Sequence, residues 1–171
     1  QADITAAFVH AHLPTTEQVY VHQPCGFYAP NTTSNSHVLK LKRALYGLKQ
    51  APRHFFNYLS QHLTKHGLRQ SSFDPCLFFG SNLVVIVYVD DLLIYSRSDT
   101  AIDDLITKLK EDNIWIRKED STAGFLGVDM KEGPDGSLTL TQTGLIDRII
   151  SALGLHSSYS TKKDTPAETA P

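Results

Sequence analysis

Seven apolar residues in a row, Leu83 to Val89, meet two adjacent carboxylates, Asp90 and Asp91, and a further apolar run, Leu92 to Tyr95, follows at once. No other segment restricts the fold as strongly. A run this rich in β-branched residues is short for a buried helix and suits a strand covered on both faces. The acids fall where such a strand would turn, so the pattern predicts a hairpin whose tight turn presents both carboxylates. Adjacent like charges between apolar runs are costly, because burial disfavours each ionised form. A divalent cation would compensate them, and hard oxygen ligands of this kind suit magnesium. A solvent-exposed turn also accommodates the dipeptide, since Asp is a common turn former. The dipeptide alone leaves both alternatives open.

Around this hairpin the periodicity alternates between helix and strand. Val19 to His22 and His37 to Leu45 read as strands, the second with a basic face of Lys40, Lys42 and Arg43, separated by a loop carrying Pro24, Gly26 and Pro30. Pro52 suits a first helical turn, and Phe55, Phe56, Leu59 and Leu63 recur at helical spacing until Gly67, which predicts a helix over Ala51 to His66. Cys76 to Phe79 is a short strand. Thr100 is the expected cap of a second helix with an apolar stripe of Ile102, Leu105, Ile106 and Leu109, with Asp103 and Asp104 in its first turn, ending near Asn113. Ile114 to Ile116, Phe125 to Met130 and Ser137 to Thr141 read as three more strands, the last two joined at Gly133-Pro134-Asp135-Gly136. Leu145, Ile146, Ile149, Ile150 and Leu153 mark a last amphipathic helix closed by Gly154, and the tail from Ser157 loses its apolar periodicity, as a linker would. Without strict βαβ alternation, these elements predict an α+β fold: an antiparallel sheet with helices packed on one face.

Composition excludes several classes. No stretch approaches 18 apolar residues, so a membrane span is excluded and a soluble chain is expected. Two cysteines, Cys25 and Cys76, without a CxxC pair exclude a disulfide scaffold and a cysteine zinc site, and read as reduced intracellular thiols. Charge is unevenly spread: no Asp or Glu occurs from Gln18 to Phe73, a span holding Lys40, Lys42, Arg43, Lys49, Arg53, Lys65 and Arg69, whereas the residues from Asp74 onward carry a net −7. A basic half interleaved with Tyr46, Phe55, Phe56 and Tyr58 fits a phosphate-backbone surface, and equally an ordinary solvated face. His10 and His12, spaced i, i+2, suggest a metal pair or simply surface histidines.

The tetrapeptide Tyr88-Val89-Asp90-Asp91 does not stand alone. It resembles the catalytic hairpin of reverse transcriptases, and Asp3-Ile4-Thr5-Ala6-Ala7-Phe8 resembles their first polymerase motif. The nonapeptide from Leu45 to Arg53, LYGLKQAPR, is close to a signature of copia-type retrotransposon polymerases. Val19 to Phe27 is similar to that family's VYMEQPEGF segment and Phe125 to Asp129 to its FLGIE segment, and all five segments appear in family order over roughly residues 1–154. The resemblance implies a polymerase palm with incomplete fingers and thumb: residues 1–154 as the palm, with a partial fingers segment at about 19–45 and a primer-grip hairpin at 125–141, and residues 155–171 as a linker toward the thumb.

The activity implied is RNA-directed DNA synthesis with two magnesium ions, for which manganese can substitute, on an RNA template and DNA primer with deoxynucleoside triphosphates. By resemblance, Asp3 and Asp90 are metal ligands, Asp91 is the second acid of the hairpin and helps hold the site's charge, and the Ile4 carbonyl completes one metal. Backbone N–H groups near Ala6 and Ala7 would meet the triphosphate. Phe8 would stack under the sugar and exclude a 2′-hydroxyl, although a core Phe fits the same position. Tyr46, Gly47, Lys49 and Gln50 would surround the templating nucleotide, Gly47 because a residue lacking Cβ permits close approach. Phe125, Leu126 and Gly127 would belong to the primer grip. Lys118 is a weaker candidate for protonating the leaving pyrophosphate, and Arg53 suits a surface position as well as a template contact.

The expected partners are the rest of a polyprotein with integrase and ribonuclease H, in a cytoplasmic virus-like particle and the nucleus. The family's usual Lys two residues after the first Asp is Thr5 here, and the stretch Lys118 to Gly124 is shorter and lacks Asp-Leu-Gly. The chain begins at the first-motif strand and reads as a piece of something longer. Without the basic fingers side chains that grip a triphosphate, each worth about 1.5–3 kcal/mol, the isolated piece is expected to be weak or inert. An inert remnant that keeps the fold and binds nucleic acid is the alternative.

Overall fold

The computed structural model describes residues 1–33, 36–119 and 125–155. The chain divides into two compact units, Gln1–Asp120 and Ser121–Pro171. The first unit contains β1 (Ala2–Ile4), a 3-10 turn (Ala7–His10), β2 (Tyr20–His22), β3 (Val38–Lys40), α1 (Ala51–Lys65), β4 (Arg69–Gln70), β5 (Leu77–Phe79), β6 (Val84–Tyr88), β7 (Asp91–Tyr95), α2 (Asp99–Glu111) and β8 (Ile116–Lys118). Six of its strands form one sheet in the order β4-β5-β6-β7-β1-β8, antiparallel throughout, and β2 pairs with β3 in a separate antiparallel ribbon. Mixed helices and antiparallel sheets are as expected.

Both helices cover the same face of the large sheet. Ala51, Phe55, Leu59 and Leu63 of α1 and Leu105, Ile106 and Leu109 of α2 join Ala2, Ile4, Phe78, Val85, Val87, Leu92 and Ile94 in one buried core. Because side chains alternate along a strand, the buried Ala2 and Ile4 force Asp3 onto the opposite face. The helix ends are fixed by backbone geometry. Gly67 at φ 88 and Asn113 at φ 62 take the left-handed conformation that closes α1 and α2, with Leu68 N–H donating to Leu63 O (3.1 Å) and Ile114 N–H to Leu109 O (3.0 Å).

Some boundaries differ from the sequence expectation. The strand expected over His37 to Leu45 stops at Lys40, because the backbone beyond it pairs with the segment after the 3-10 turn: Leu13 N–H donates to Lys42 O (3.0 Å) and Ala44 N–H to Ala11 O (2.9 Å). The cap of α2 is Ser98, not Thr100, and the first-turn acid is Asp99. Asp103 and Asp104 lie a turn later and pair with Lys118 (2.6 Å) and Lys108 (3.3 Å). The strand expected at Ile114 to Ile116 begins at Ile116, since Ile114 is spent closing the helix. The short strands β1 and β4 carry too few residues for periodicity to mark them.

Asp112 ties the helices together. A carboxylate at a helix C-terminus opposes the helix dipole, but here it accepts from His62 Nδ1 (2.7 Å) and His66 Nε2 (2.8 Å) and pairs with the Lys65 ammonium, His62 and Lys65 lying in the last turn of α1 and His66 capping it. The Lys65 ammonium and the His62 ring hold its carboxyl well below the usual carboxylate range; burial opposes them and the His66 ring adds to them. A carboxyl depressed on folding stabilises the fold above its unfolded value, near 4, and the contribution is lost as pH falls from there through the folded value. Asp112→Asn is therefore expected to cost about 1–3 kcal/mol at pH 6. The gap between variant and parent, followed by urea unfolding, should narrow below pH 4.

The second unit holds β9 (Asp129–Glu132), β10 (Leu138–Thr141) and α3 (Thr143–Ala152). The hairpin pairs Asp129 with Thr141 and Glu132 with Leu138. The strand expected from Phe125 starts only at Asp129: Val128 N–H donates to Phe125 O (3.0 Å), and Leu126 (φ 54) and Gly127 (φ 75) form the centre of a tight turn. The linker expected at 155–171 lies, from residue 156 on, outside the described residues. No helix among the described residues is long and apolar enough to cross a membrane.

Candidate active site

The antiparallel register of β1 against β7 places Asp3 directly opposite Asp91, and Ile4 N–H donates to the Asp90 carbonyl at 2.8 Å. Residues 86 or more positions apart in sequence are thus held by one ladder. Directly opposed residues have Cβ atoms about 5 Å apart and share a face, so Asp3 and Asp91 stand side by side on the sheet face away from the helices. Val89 and Asp90 form the two-residue turn between β6 and β7. Val89 sits at φ 54, a left-handed conformation that costs a side-chain-bearing residue about 1–2 kcal/mol. The ladder on either side enforces it.

The electrostatics follow from this crowding. Burial pushes the Asp91 carboxyl above its ordinary value, the Gln1 amide lowers it, and the charges of Asp90, Asp3 and Glu119 raise it. The Gln1 contact is long, 3.4 Å from Nε2 to Asp91 Oδ1, and the buried Gln1 Oε1 has no partner among the described residues. Glu119 reaches the cluster through the other flank of β1, where β8 pairs Asp3 with Arg117 and Glu119 N–H donates to Gln1 O (2.8 Å). Arg117 Nη2 lies 3.7 Å from Glu119 Oε1. Neither Gln1, Arg117 nor Glu119 was marked by the sequence, because only the long-range pairing of β8 with β1 brings them to Asp3.

Among the described residues no three His, Cys, Asp or Glu side chains converge closely enough to hold a metal ion by themselves. Magnesium asks less of a protein: one or two carboxylates, with waters and substrate phosphates completing its shell. Half-buried Asp3, Asp90 and Asp91, all hard oxygen donors, with the Asp91 carboxyl raised by burial and by its acidic neighbours, fit that ion. The histidine pair does not. His10 is buried, with Nε2 3.1 Å from the Thr5 carbonyl and its ring against Trp115, whereas His12 is exposed.

The other candidates separate. Ala6, at φ 53, ends the segment that carries Asp3 and opens the 3-10 turn, whose Ala7 is buried. Phe8 is half-buried, with its ring centroid 4.5 Å from Tyr46 and 6.2 Å from Phe55, so it is both packed on the core and in contact with the exposed Tyr46. Leu48 N–H donates to Leu45 O (3.1 Å) across a turn in which Gly47 takes φ 93. That conformation by itself requires glycine, and open space surrounds the position a Cβ would take. Lys49 and Arg53 are exposed. Gln50 donates its amide to Glu17, whose carboxylate also meets His54 Nε2 at 2.8 Å, so Gln50 is braced at the start of α1. Lys118 does not share the acids' face: it is paired with Ala2 in register and its Nζ meets Asp103 at 2.6 Å. Phe125, Leu126 and Gly127 belong to the second unit.

Paired carboxylates at a hairpin turn, opposed by a third on the neighbouring strand of an antiparallel sheet, are the arrangement the first-motif and hairpin segments imply. The profile of the family described as reverse transcriptase (RNA-dependent DNA polymerase) matches residues 1–168, and the chain belongs to that family. It is 35% identical over 140 residues to the retrovirus-related Pol polyprotein from transposon RE1 of Arabidopsis thaliana, covering 80% of this chain and 9% of that protein. It is 30% identical over 165 residues to the retrovirus-related Pol polyprotein from transposon TNT 1-94 of Nicotiana tabacum, covering 91% of this chain and 12% of that protein. Over 112 residues it is also 30% identical to the truncated transposon Ty1-A Gag-Pol polyprotein of Saccharomyces cerevisiae, covering 65% of this chain and 9% of that protein. The copia-type recognition made from LYGLKQAPR is borne out by these relatives. The chain spans about a tenth of the length of the relatives it matches. No solved structure matches it.

Proposed function

We propose that this chain is the palm region of a retrotransposon polyprotein's RNA-directed DNA polymerase, which transfers a deoxynucleotide from its triphosphate to a primer 3′-hydroxyl on an RNA template. The observation that carries the proposal is the register that sets Asp3 against Asp91, with Asp90 in the adjoining turn. Asp3 and Asp90 would hold two magnesium or manganese ions, with Asp91 supporting the site's charge and the Ile4 carbonyl serving one ion. Such ions, when bound, neutralise the triphosphate and favour the deprotonated primer hydroxyl. The chain's own residues do the rest. The β1–β7 ladder fixes the carboxylates relative to one another, and the rigid sheet holds them without reorganisation as charge shifts from hydroxyl to pyrophosphate.

Phe8, supported by Phe55 from beneath, would exclude a 2′-hydroxyl, and Tyr46, Gly47, Lys49 and Gln50 would line the template side. Phe125, Leu126 and Gly127 would contact the primer. The integrase and ribonuclease H of the same polyprotein are proposed as neighbours, and the virus-like particle and nucleus as places of action. The test is primer extension on an RNA template by the complete parent polyprotein. Magnesium-dependent incorporation of deoxynucleotides is expected, and its absence with intact template binding would refute the enzymatic reading.

A further inference from the structure

Among the described residues His10 is the one buried histidine, 4% exposed, and the catalytic reading does not use it. An imidazole taken out of water needs a polar partner inside. His10 finds it in the backbone of the first-motif segment: Nε2 lies 3.1 Å from the Thr5 carbonyl oxygen. A carbonyl only accepts, so Nε2 carries the hydrogen and donates it. The ring is held in place from two other parts of the chain. Trp115 meets it edge-on (centroids 5.1 Å apart, 79° between planes), and Tyr58 of α1 lies nearly parallel to it at 6.5 Å.

This bond bears on the residue that follows. The Thr5 carbonyl and the Ala6 N–H belong to one planar trans peptide, in which the two bonds point in opposite directions. Holding the carbonyl toward the buried ring therefore aims the Ala6 N–H away from it. Ala6 stands at φ 53, ψ 44, a left-handed conformation that a residue with a Cβ keeps only where its surroundings enforce it. The enforcement comes from both sides. Thr5 N–H donates to the Trp115 carbonyl (2.8 Å) and its carbonyl accepts from His10, while the Ala6 carbonyl accepts from Val9 N–H (3.1 Å) as the 3-10 turn opens. We infer that His10 is a positioning residue: by fixing the Thr5 carbonyl it orients the Ala6 N–H for the triphosphate of the incoming nucleotide. The inference rests on the polymerase reading and adds to it a side chain that touches neither metal nor nucleotide.

Two substitutions separate the donor from the ring. His10→Phe keeps a flat ring between Trp115 and Tyr58 and removes the N–H, whereas His10→Gln restores an N–H near the place of Nε2. In single-nucleotide incorporation by the complete parent polyprotein, His10→Phe is expected to raise KM for the deoxynucleotide about 10- to 100-fold, the worth of one hydrogen bond to a charged group. Its kcat should stay within about threefold, because the Ala6 N–H serves ground-state binding, and His10→Gln should match the parent in both constants to the same margin. Heteronuclear NMR of the isotope-labelled 171-residue chain gives a readout that needs no catalysis: the neutral His10 ring should carry its hydrogen on Nε2, and the Ala6 amide resonance should shift in His10→Phe and return in His10→Gln. The inference is overturned if the ring hydrogen sits on Nδ1, if His10→Phe lowers thermal stability with KM unchanged, as for a histidine that merely fills the core, or if His10→Gln is as impaired as His10→Phe. Failure of the polymerase reading looks different: no incorporation by the unsubstituted polyprotein, with the Nε2 hydrogen and the Ala6 response intact.

Discussion

Asp90→Asn, introduced into the parent polyprotein, is expected to lower primer extension at least about 1,000-fold while leaving the fold as stable as before or slightly more so. The two signs come from one cause. Asp90 lies in the turn of a hairpin whose next residue, Asp91, already has its carboxyl raised by burial and by the charges of Asp90, Asp3 and Glu119. Removing one charge relieves repulsion in the unliganded fold. It also removes a hard ligand from the reacting centre, where several kcal/mol of charge stabilisation are at stake and each 1.36 kcal/mol is tenfold in rate. A structural acid would show the reverse pattern, with stability lost and extension preserved. Extension rates beside urea midpoints for the same preparations distinguish the two.

Phe55→Ala is expected to cost about 3–5 kcal/mol, the usual range for a phenylalanine emptied from a packed core. Phe55 is 1% exposed and lies on the α1 face that buries Ala51, Leu59 and Leu63 against the sheet. In a chain of this size that corresponds to a fall in Tm of roughly 10 °C, read by circular dichroism. The neighbouring Phe56 is half-buried and should cost distinctly less when replaced by Ala. Phe55 also meets Phe8 edge-on at 6.2 Å, so the cavity would loosen the residue proposed to judge the sugar. A change in Tm of only a few degrees for Phe55→Ala would mean that α1 does not pack as described.

Local chemistry made the hairpin and the helices legible. The apolar run broken by two acids could fold well only as β6 and β7, and the stripe ending at Gly67 could be only α1. What remained hidden was set by distant pairings. β1 is three residues long and acquires its place from β7 on one side and β8 on the other, so Asp3 could be assigned to the acids only by resemblance. Glu119 and Arg117 had no signal at all, since alternation along β8 shows which residues share a face but not which strand lies beside them. The basic stretch after Lys40 reads as more strand because its apolar and charged residues alternate, yet from Lys42 on its backbone hydrogen bonds go to residues 11–13. Gly47 takes a left-handed turn that calls for glycine whether or not a base pair lies near it, so the sequence alone does not separate the two reasons. The brace of Gln50 by Glu17 and His54 spans 33 or more positions and leaves no trace in local pattern.

Manganese binding to the 171-residue chain, followed by electron paramagnetic resonance in the parent, Asp3→Asn, Asp90→Asn and the double variant, probes the shared acid centre itself. Each single substitution should weaken binding, and the double variant should lose less than the two losses added together, a coupling of about 0.5–3 kcal/mol between side chains that meet at the same ions. Affinities that are untouched by Asp3→Asn, or losses that simply add, would mean that the two carboxylates do not hold cations in common.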